Sequence, residues 1–213
     1  MPMRGACSMR GLTALACAVL CCALPARAEP RVFRVDSGRS HVRIEVGKAG
    51  LLSFAGHTHE VLARALEGEV QFDPAAAESA RVWVEIDAAA LEVTGKGEPA
   101  EDVPEVQATM LGERVLDVSR HPTIRFESSA VEVRARREGS LDLAVDGRLT
   151  LHGVTRPVRV ELVADVGPGT ILARGRMSIR QTEFGIQPVS AAGGTVKVKD
   201  LLWIDLTLAA TAE

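Results

Sequence analysis

Cysteine is confined to the first 22 residues of the chain, at Cys7, Cys17, Cys21 and Cys22. A protein beginning near Glu29 therefore has no thiol, which excludes disulfide bracing and a thiolate nucleophile. Tyrosine is absent, and aromatic residues make up only 3% of the sequence. No basic run of five to eight residues occurs, and the net charge of −3 arises from interspersed acids and bases. Nucleic acid and anionic membrane surfaces are thus not expected partners. The longest apolar run, Leu12 to Leu24, covers about 13 residues, short of the ~20 that cross a bilayer as a helix, so the chain does not read as an integral membrane protein. There is no Gly-x-Ser-x-Gly elbow, no local pairing of Ser with His, and Gly193-Gly194 precedes a strand instead of a helix. A hydrolase nucleophile and a phosphate loop are both missing. Glu101-Asp102 sits in a charged loop and reads as solvated surface. The expectation is a protein that is not an enzyme and carries no cofactor.

Residues 1–28 have the layout of a secretory signal peptide. Arg4 and Arg10 flank a short polar start, the apolar run follows, and Ala26-Arg27-Ala28 fits a small-x-small cleavage site. A lipoprotein box would have to end at Cys17 or Cys21, and Ala14-Leu15-Ala16 matches it poorly. Residues 29–213 then form one exported domain in the periplasm, with about 185 residues and no disulfide, held together by its core alone.

That domain is dominated by period-two alternation, the signature of strands with one dry and one wet face. Val42, Ile44 and Val46 share a face against His41, Arg43 and Glu45. Val82, Val84 and Ile86 alternate with Trp83, Glu85 and Asp87, and either set fits the inner face. Ile124 pairs with Phe126. Leu149 and Leu151 alternate with Arg148, Thr150 and His152; Val158, Val160 and Leu162 follow a Gly-Val-Thr-Arg-Pro corner. Leu202, Ile204 and Leu206 alternate with Trp203, Asp205 and Thr207 in a run so long that a bend or bulge is expected near Asp200. Trp203, on the polar face, reads as covering a seam outside the fold or sitting at a rim. Pro104 to Leu111 reads as a short helix, with Pro in the first turn and Gly112 at its end. Leu51 to Leu66 fits neither period.

About eight to ten strands, turns rich in Gly and Pro, and no βαβ alternation indicate an all-β antiparallel sandwich or barrel. Long alternating strands favour a barrel, because closure removes exposed edges. About eight strands leave an interior just wide enough for side chains or one small ligand. With so few aromatics, Val, Leu and Ile should line it, which suits a long hydrocarbon better than a sugar or a base. The candidate lining is Val42, Ile44, Val46, Phe54, Phe72, Ile124, Phe126, Leu149, Leu151, Val158, Val160, Leu162, Phe184, Leu202, Ile204 and Leu206.

His57-x-His59 is the one local metal motif. On a strand the two rings would share a face, but a catalytic zinc needs a third protein ligand, and none is identifiable. The competing reading is an irregular turn in which both rings bond to backbone. His41, His121 and His152 stand apart in sequence; the parity of His152 places it on the wet face as a structural residue of its corner.

Gly147-Arg-Leu-Thr-Leu-His-Gly-Val-Thr-Arg-Pro-Val158 resembles the signature of the YceI-like family, exported proteins with a lipocalin-like barrel that bind polyisoprenoid lipids. Met110 to Val118 followed by His121-Pro-Thr-Ile-Arg-Phe-Glu-Ser128, Arg180 to Ile186, Val35-Asp36 with Arg39 to Val42, and Gly68 to Pro74 resemble further family segments in the same order. The resemblance covers about residues 32 to 209. It implies an extended eight-stranded antiparallel lipocalin-like β-barrel with one short helix packed beside it, and a central tunnel holding an isoprenoid tail without covalent chemistry. The implied partner is a polyisoprenoid or similar long-chain amphiphile; a homodimer is compatible with it. The sequence departs from the family pattern at Lys48, where a His is usual, and across Leu51 to Leu66, where Gly56-His57-Thr58-His59-Glu60 replaces a Gly-x-Phe element. Two alternatives stand beside the lipid reading: a metal-binding or metal-dependent enzyme variant using His57 and His59, and an envelope module with a packed, ligand-free interior.

Overall fold

A computed structural model describes residues 30–49, 59–96, 99–191 and 196–213. The first 28 residues, Phe54 and His57 lie outside the described residues. Strands β1 (Arg31–Val35), β2 (His41–Ala49), β3 (His59–Ala63), β4 (Glu67–Phe72), β5 (Arg81–Asp87) and β6 (Leu91–Val93) precede one helix, α1 (Val103–Leu111). After it come β7 (Thr123–Arg137), β8 (Ser140–Leu151), β9 (Val154–Val166), β10 (Thr170–Arg180), β11 (Ser190–Ala191) and β12 (Val196–Ala212).

Every pairing is antiparallel, and the order β1-β4-β5-β7-β8-β9-β10-β12 is closed by β1 pairing with β12. The result is a closed eight-stranded barrel. The short early strands are halves of kinked ones. β12 pairs with β2 through Thr207 and with β1 from Ala210 onward, so β1 and β2 form a single strand bent at 36–40. Ser40 secures the bend: its hydroxyl donates to the Ala209 carbonyl and accepts from the Ala209 N–H. In the same way β3 continues into β4 beside it, and β5 into β6. The expected irregularity near Asp200 is present, as a register shift between Val198 and Leu202. A second bulge, between Ser128 and Ala130, moves the inward set of β7 from Ile124 and Phe126 to Val131 and Val133.

The inner face is a continuous apolar ladder. Val133, Leu143, Leu162, Gly175, Leu206, Val42, Ala63 and Leu91 are register partners running once around the wall. The register above it joins Met177, Ile204, Ile44, Val61 and Val93. On β5 it is Val82, Val84 and Ile86 that face inward. Strong coiling brings neighbouring backbone close to some inward positions. A Cβ at Gly147 would lie 2.5 Å from the Phe126 ring and 2.6 Å from the Glu127 carbonyl oxygen. At Gly175 it would lie 2.7 Å from the Glu161 oxygen. Glycine is the residue that tolerates such approach.

The outer wall is charged. Arg125 pairs with Glu85 at 2.6 Å and Glu127 at 2.8 Å, and Arg159 reaches Glu132 and Asp146 at 2.7 Å each. Such exposed pairs each contribute little to stability, about 0–1 kcal/mol. They do mark the outside as a solvated surface, the reverse of a lipid-facing barrel wall. Among the described residues, no helix is long and apolar enough to cross a membrane.

Helix α1 covers the gap left where β6 extends past the start of β7. Gln107 accepts from the Val93 N–H at 2.7 Å and donates to the Leu91 carbonyl at 2.8 Å. One side-chain amide thus supplies the bonds that a neighbouring strand would have made, and the edge of β6 is closed. The opposite side of α1 from solvent carries Val106, Met110 and Leu111, packed against the core.

Candidate functional site

The barrel encloses a cavity of about 580 Å³, within the range of roughly 300–1,000 Å³ typical of small-molecule sites. Its wall follows from the alternation of the strands. β2 contributes Val42, Ile44 and Val46; β12 contributes Leu202, Ile204 and Leu206. β7 and β8 contribute Ile124, Phe126, Leu149 and Leu151, β9 Val160 and Leu162, and β4 Phe72. Thirteen of the sixteen residues expected along the interior therefore come together on one cavity.

Two others do not reach it. Val158 points inward and packs against the core, but it pairs with Gly147, and the Phe126 ring fills the space over that glycine. Phe184 belongs to a 3₁₀ turn (Gln181–Phe184), not a strand, and is fully buried at the barrel end, outside the cavity. The third, Phe54, is outside the described residues. The sequence reading passed over residues of the kinked half, Val61, Leu66, Leu91 and Val93, and over Val106 and Met110 of α1, all of which line the cavity.

Polar groups are distributed asymmetrically around this interior. Lys48, His59, Asp102, Glu105, Thr109, Gln181 and Lys197 line the cavity at one barrel end, whereas Thr207, opposite His41 and Arg174, is a single hydroxyl in the other half. The polar end carries the last residues of β2, the first of β3 and β12, helix α1 and the 3₁₀ turn. The opposite half of the cavity is lined by Ala80, Leu143, Ala164, Val166 and Ile171. The site is a dry chamber with a wet rim at one end.

The rim is tied down by hydrogen bonds. Gln181 donates to the Lys199 carbonyl at 2.9 Å, while Asp200, in the β12 bulge, accepts from the Thr182 N–H and hydroxyl, each at 2.9 Å. The Thr182 N–H, opposed by partial burial and helped by the Thr182 hydroxyl and the Arg180 charge, holds the Asp200 carboxyl below the ordinary aspartate range.

The same end contains a cluster that sequence spacing did not suggest. His121 and His152 are in edge-to-face contact with centroids 4.8 Å apart. Asp117 joins them: one of its carboxylate oxygens and one nitrogen of each imidazole lie within 4.8 Å of one another. His152 is not a wall residue: it sits at φ +51° in the β8–β9 turn, with Nδ1 3.2 Å from the Phe184 carbonyl. Asp117 is 1% exposed. Burial pushes its carboxyl upward, but hydrogen bonds from Ser119 and Arg120 and the Arg120 charge outweigh it and hold the pKa low. Of the candidate His57–His59 pair, His57 lies outside the described residues and His59 is on the cavity wall. Trp203 is on the outer wall, 44% exposed, with the Arg176 guanidinium 4.7 Å over its ring.

Residues 33–210 match the model of the YceI-like domain. Among solved structures the chain is similar to BcnA of Burkholderia cenocepacia, with a TM-score of 0.64 at 22% identity, over 83% of this chain and 99% of that one. It is similar to a polyisoprenoid binding domain from Saccharophagus degradans implicated in plant cell wall breakdown, with a TM-score of 0.62 at 11% identity, over 85% of this chain and 98% of that one. The YCEI protein of Campylobacter jejuni gives a TM-score of 0.54 at 17% identity, over 72% and 84% of the two chains. No curated protein matches the sequence.

Proposed function

The chain belongs to the YceI-like family, and we propose that it is a non-catalytic carrier for a polyisoprenoid or similar long-chain amphiphile, exported to the periplasm by residues 1–28. The observation that carries the proposal is the polarity of the cavity: Val, Leu and Ile along its body, with Lys, His, Asp, Glu and Gln gathered at one rim. An amphiphile matches that pattern, with its tail among the wall residues and its headgroup at the rim. Burying each CH₂ is worth about 0.8 kcal/mol, so one five-carbon isoprene unit supplies about 4 kcal/mol gross. Several units suffice for tight binding after the losses of association, with no catalytic group required. The polyisoprenoid binding domain from Saccharophagus degradans has the same fold and supports this choice of tail.

The experiment is direct. Protein freed of lipid in denaturant and refolded is titrated with a polyprenyl alcohol or polyprenyl phosphate, and with a linear chain of equal carbon number. The proposal expects saturable 1:1 binding that tightens as the chain lengthens until the cavity is full. Failure to bind any long-chain lipid would remove it, and stoichiometric turnover of the ligand would replace it with an enzymatic role.

A further inference from the structure

We propose that Asp117, His121 and His152 form a binding site for a divalent first-row transition metal ion of borderline softness, such as Zn²⁺. The residues come from two connections. Asp117 and His121 lie between α1 and β7, and His152 lies in the turn between β8 and β9. Antiparallel pairing of β7 with β8 brings both to the same barrel end.

Each ligand is held in place. The Asp117 N–H donates to Gly112, and its carbonyl accepts from the N–H groups of Arg120 and His121, at 2.9, 2.9 and 2.8 Å. Its carboxylate accepts from the Ser119 hydroxyl and from Arg120. The Arg120 side chain is 70% exposed, so it can swing into solvent and give up its place to an ion. For His152, the partner at 3.2 Å is a carbonyl, which only accepts. A neutral ring that donates from Nδ1 to this carbonyl presents its Nε2 lone pair to an ion. A ligating histidine is commonly oriented in this way, its second nitrogen donating to a carbonyl or carboxylate. The His121 ring lies over Gly153, where a Cβ would come within 2.7 Å of its Cε1 and 2.9 Å of its Nδ1. Only glycine at that position, with φ +71°, leaves room for the ring.

Two imidazoles and one carboxylate make a nitrogen-rich set that suits Zn²⁺ and its neighbours; Ca²⁺ and Mg²⁺ require oxygen. Bond lengths of about 2.0–2.2 Å in a tetrahedron place ligand atoms roughly 3.4 Å apart. The present span of up to 4.8 Å closes by side-chain rotation. Three protein ligands leave the fourth position to water. The ion ties the α1–β7 connection to the β8–β9 turn and, through His152 Nδ1–H, to Phe184. Gln181 and Ile186, on either side of Phe184, line the cavity, so the metal acts as a staple beside the rim.

The test uses tag-free protein in which Cys7, Cys17, Cys21 and Cys22 are replaced by serine, so that no thiolate competes. After chelator treatment it is titrated with Zn²⁺ by calorimetry, and with Co²⁺ to read coordination from its visible ligand-field bands. One equivalent is expected, with a rise in Tm. His121→Phe keeps a ring over Gly153 and should weaken binding by more than the roughly 10–100-fold lost with an outer-shell partner. Asp117→Asn should do the same, while His57→Ala/His59→Ala should bind as the parent does. Absence of stoichiometric Zn²⁺, or undiminished binding in a folded His121→Phe protein, would overturn the assignment. So would loss of binding in the His57/His59 variant alone. If Asp117→Asn does not fold, His121→Phe decides the matter.

Discussion

Ile204→Glu should weaken the affinity of the barrel for a long apolar chain by roughly a thousandfold above neutral pH, with recovery in acid. Ile204 is 7% exposed, lines the cavity, and lies in register between Met177 on β10 and Ile44 on β2. In the ligand-free protein, water entering from the polar rim can hydrate a carboxylate there. A lipid tail displaces that water, and the charge must then be desolvated or neutralised. Burial raises a carboxyl pKa by up to about 3–5 units. At 1.36 kcal/mol per unit, a three-unit rise is about 4 kcal/mol, roughly a thousandfold in Kd. The sign is fixed by linkage. The bound-state pKa exceeds the free-state value near 4.3, so the loss is complete above the bound-state pKa and shrinks about tenfold per pH unit below it. Displacement of a fluorescent polyene acid, followed between pH 4.5 and 8 alongside far-UV circular dichroism, measures both affinity and fold. Wild-type affinity at pH 7.5 in a folded Ile204→Glu protein would refute the placement of the tail. A loss of affinity that does not recover in acid would refute the electrostatic reasoning.

Gly147→Ala places a methyl group 2.5 Å from the Phe126 ring and 2.6 Å from backbone oxygen; it should lower unfolding free energy by about 3 kcal/mol, the upper end for overpacking. Gly169→Ala, where a Cβ meets nothing within 4 Å, should change it by less than about 0.5 kcal/mol, and urea melts of the pair test the coiling of the wall. Gln107→Leu strands the Val93 N–H and the Leu91 carbonyl; about 2 kcal/mol of stability should be lost, with faster hydrogen exchange at the Val93 amide as the local marker. The Asp200 carboxyl is held below its ordinary value by Thr182, so its stabilisation is present above the unfolded pKa of about 3.9 and disappears as pH falls through the lowered folded-state pKa. Asp200→Asn should flatten that part of the acid limb of Tm against pH, and an unchanged slope would contradict the assignment.

Much of the wall could be read from alternation alone, because β8, β9, β10 and β12 are long and each carries its inward residues at every second position. The bulge at 128–130 also left a trace, in the switch of apolar parity from Ile124 and Phe126 to Val131 and Val133. What escaped was non-local or low in contrast. β3 presents His59, Val61 and Ala63 inward, a set with little hydrophobic contrast, and β6 is only three residues long. That β1 and β2 are halves of one bent strand follows from their shared partner, β12, which no local pattern reveals. Phe184 is expected on the wall, whereas a 3₁₀ turn carries it into the end of the core. Val158 has the inward parity it should, but the Phe126 ring over Gly147 takes the space in front of it. His121 and His152 are 31 positions apart in the chain, and turns at positive φ bring them together. The signal for that pair was nonetheless present. Two neighbouring antiparallel strands must have the start of one and the end of the other at the same barrel end, and each histidine stands at such a point.

The most direct test of the carrier reading is native mass spectrometry, with lipid extraction, of protein recovered from the envelope of the cell that makes it. The account predicts a chain beginning near Glu29, accompanied by a mass that dissociates as one long-chain isoprenoid or comparable amphiphile. A ligand-free mass, together with failure of the refolded protein to take up any such chain, would contradict it.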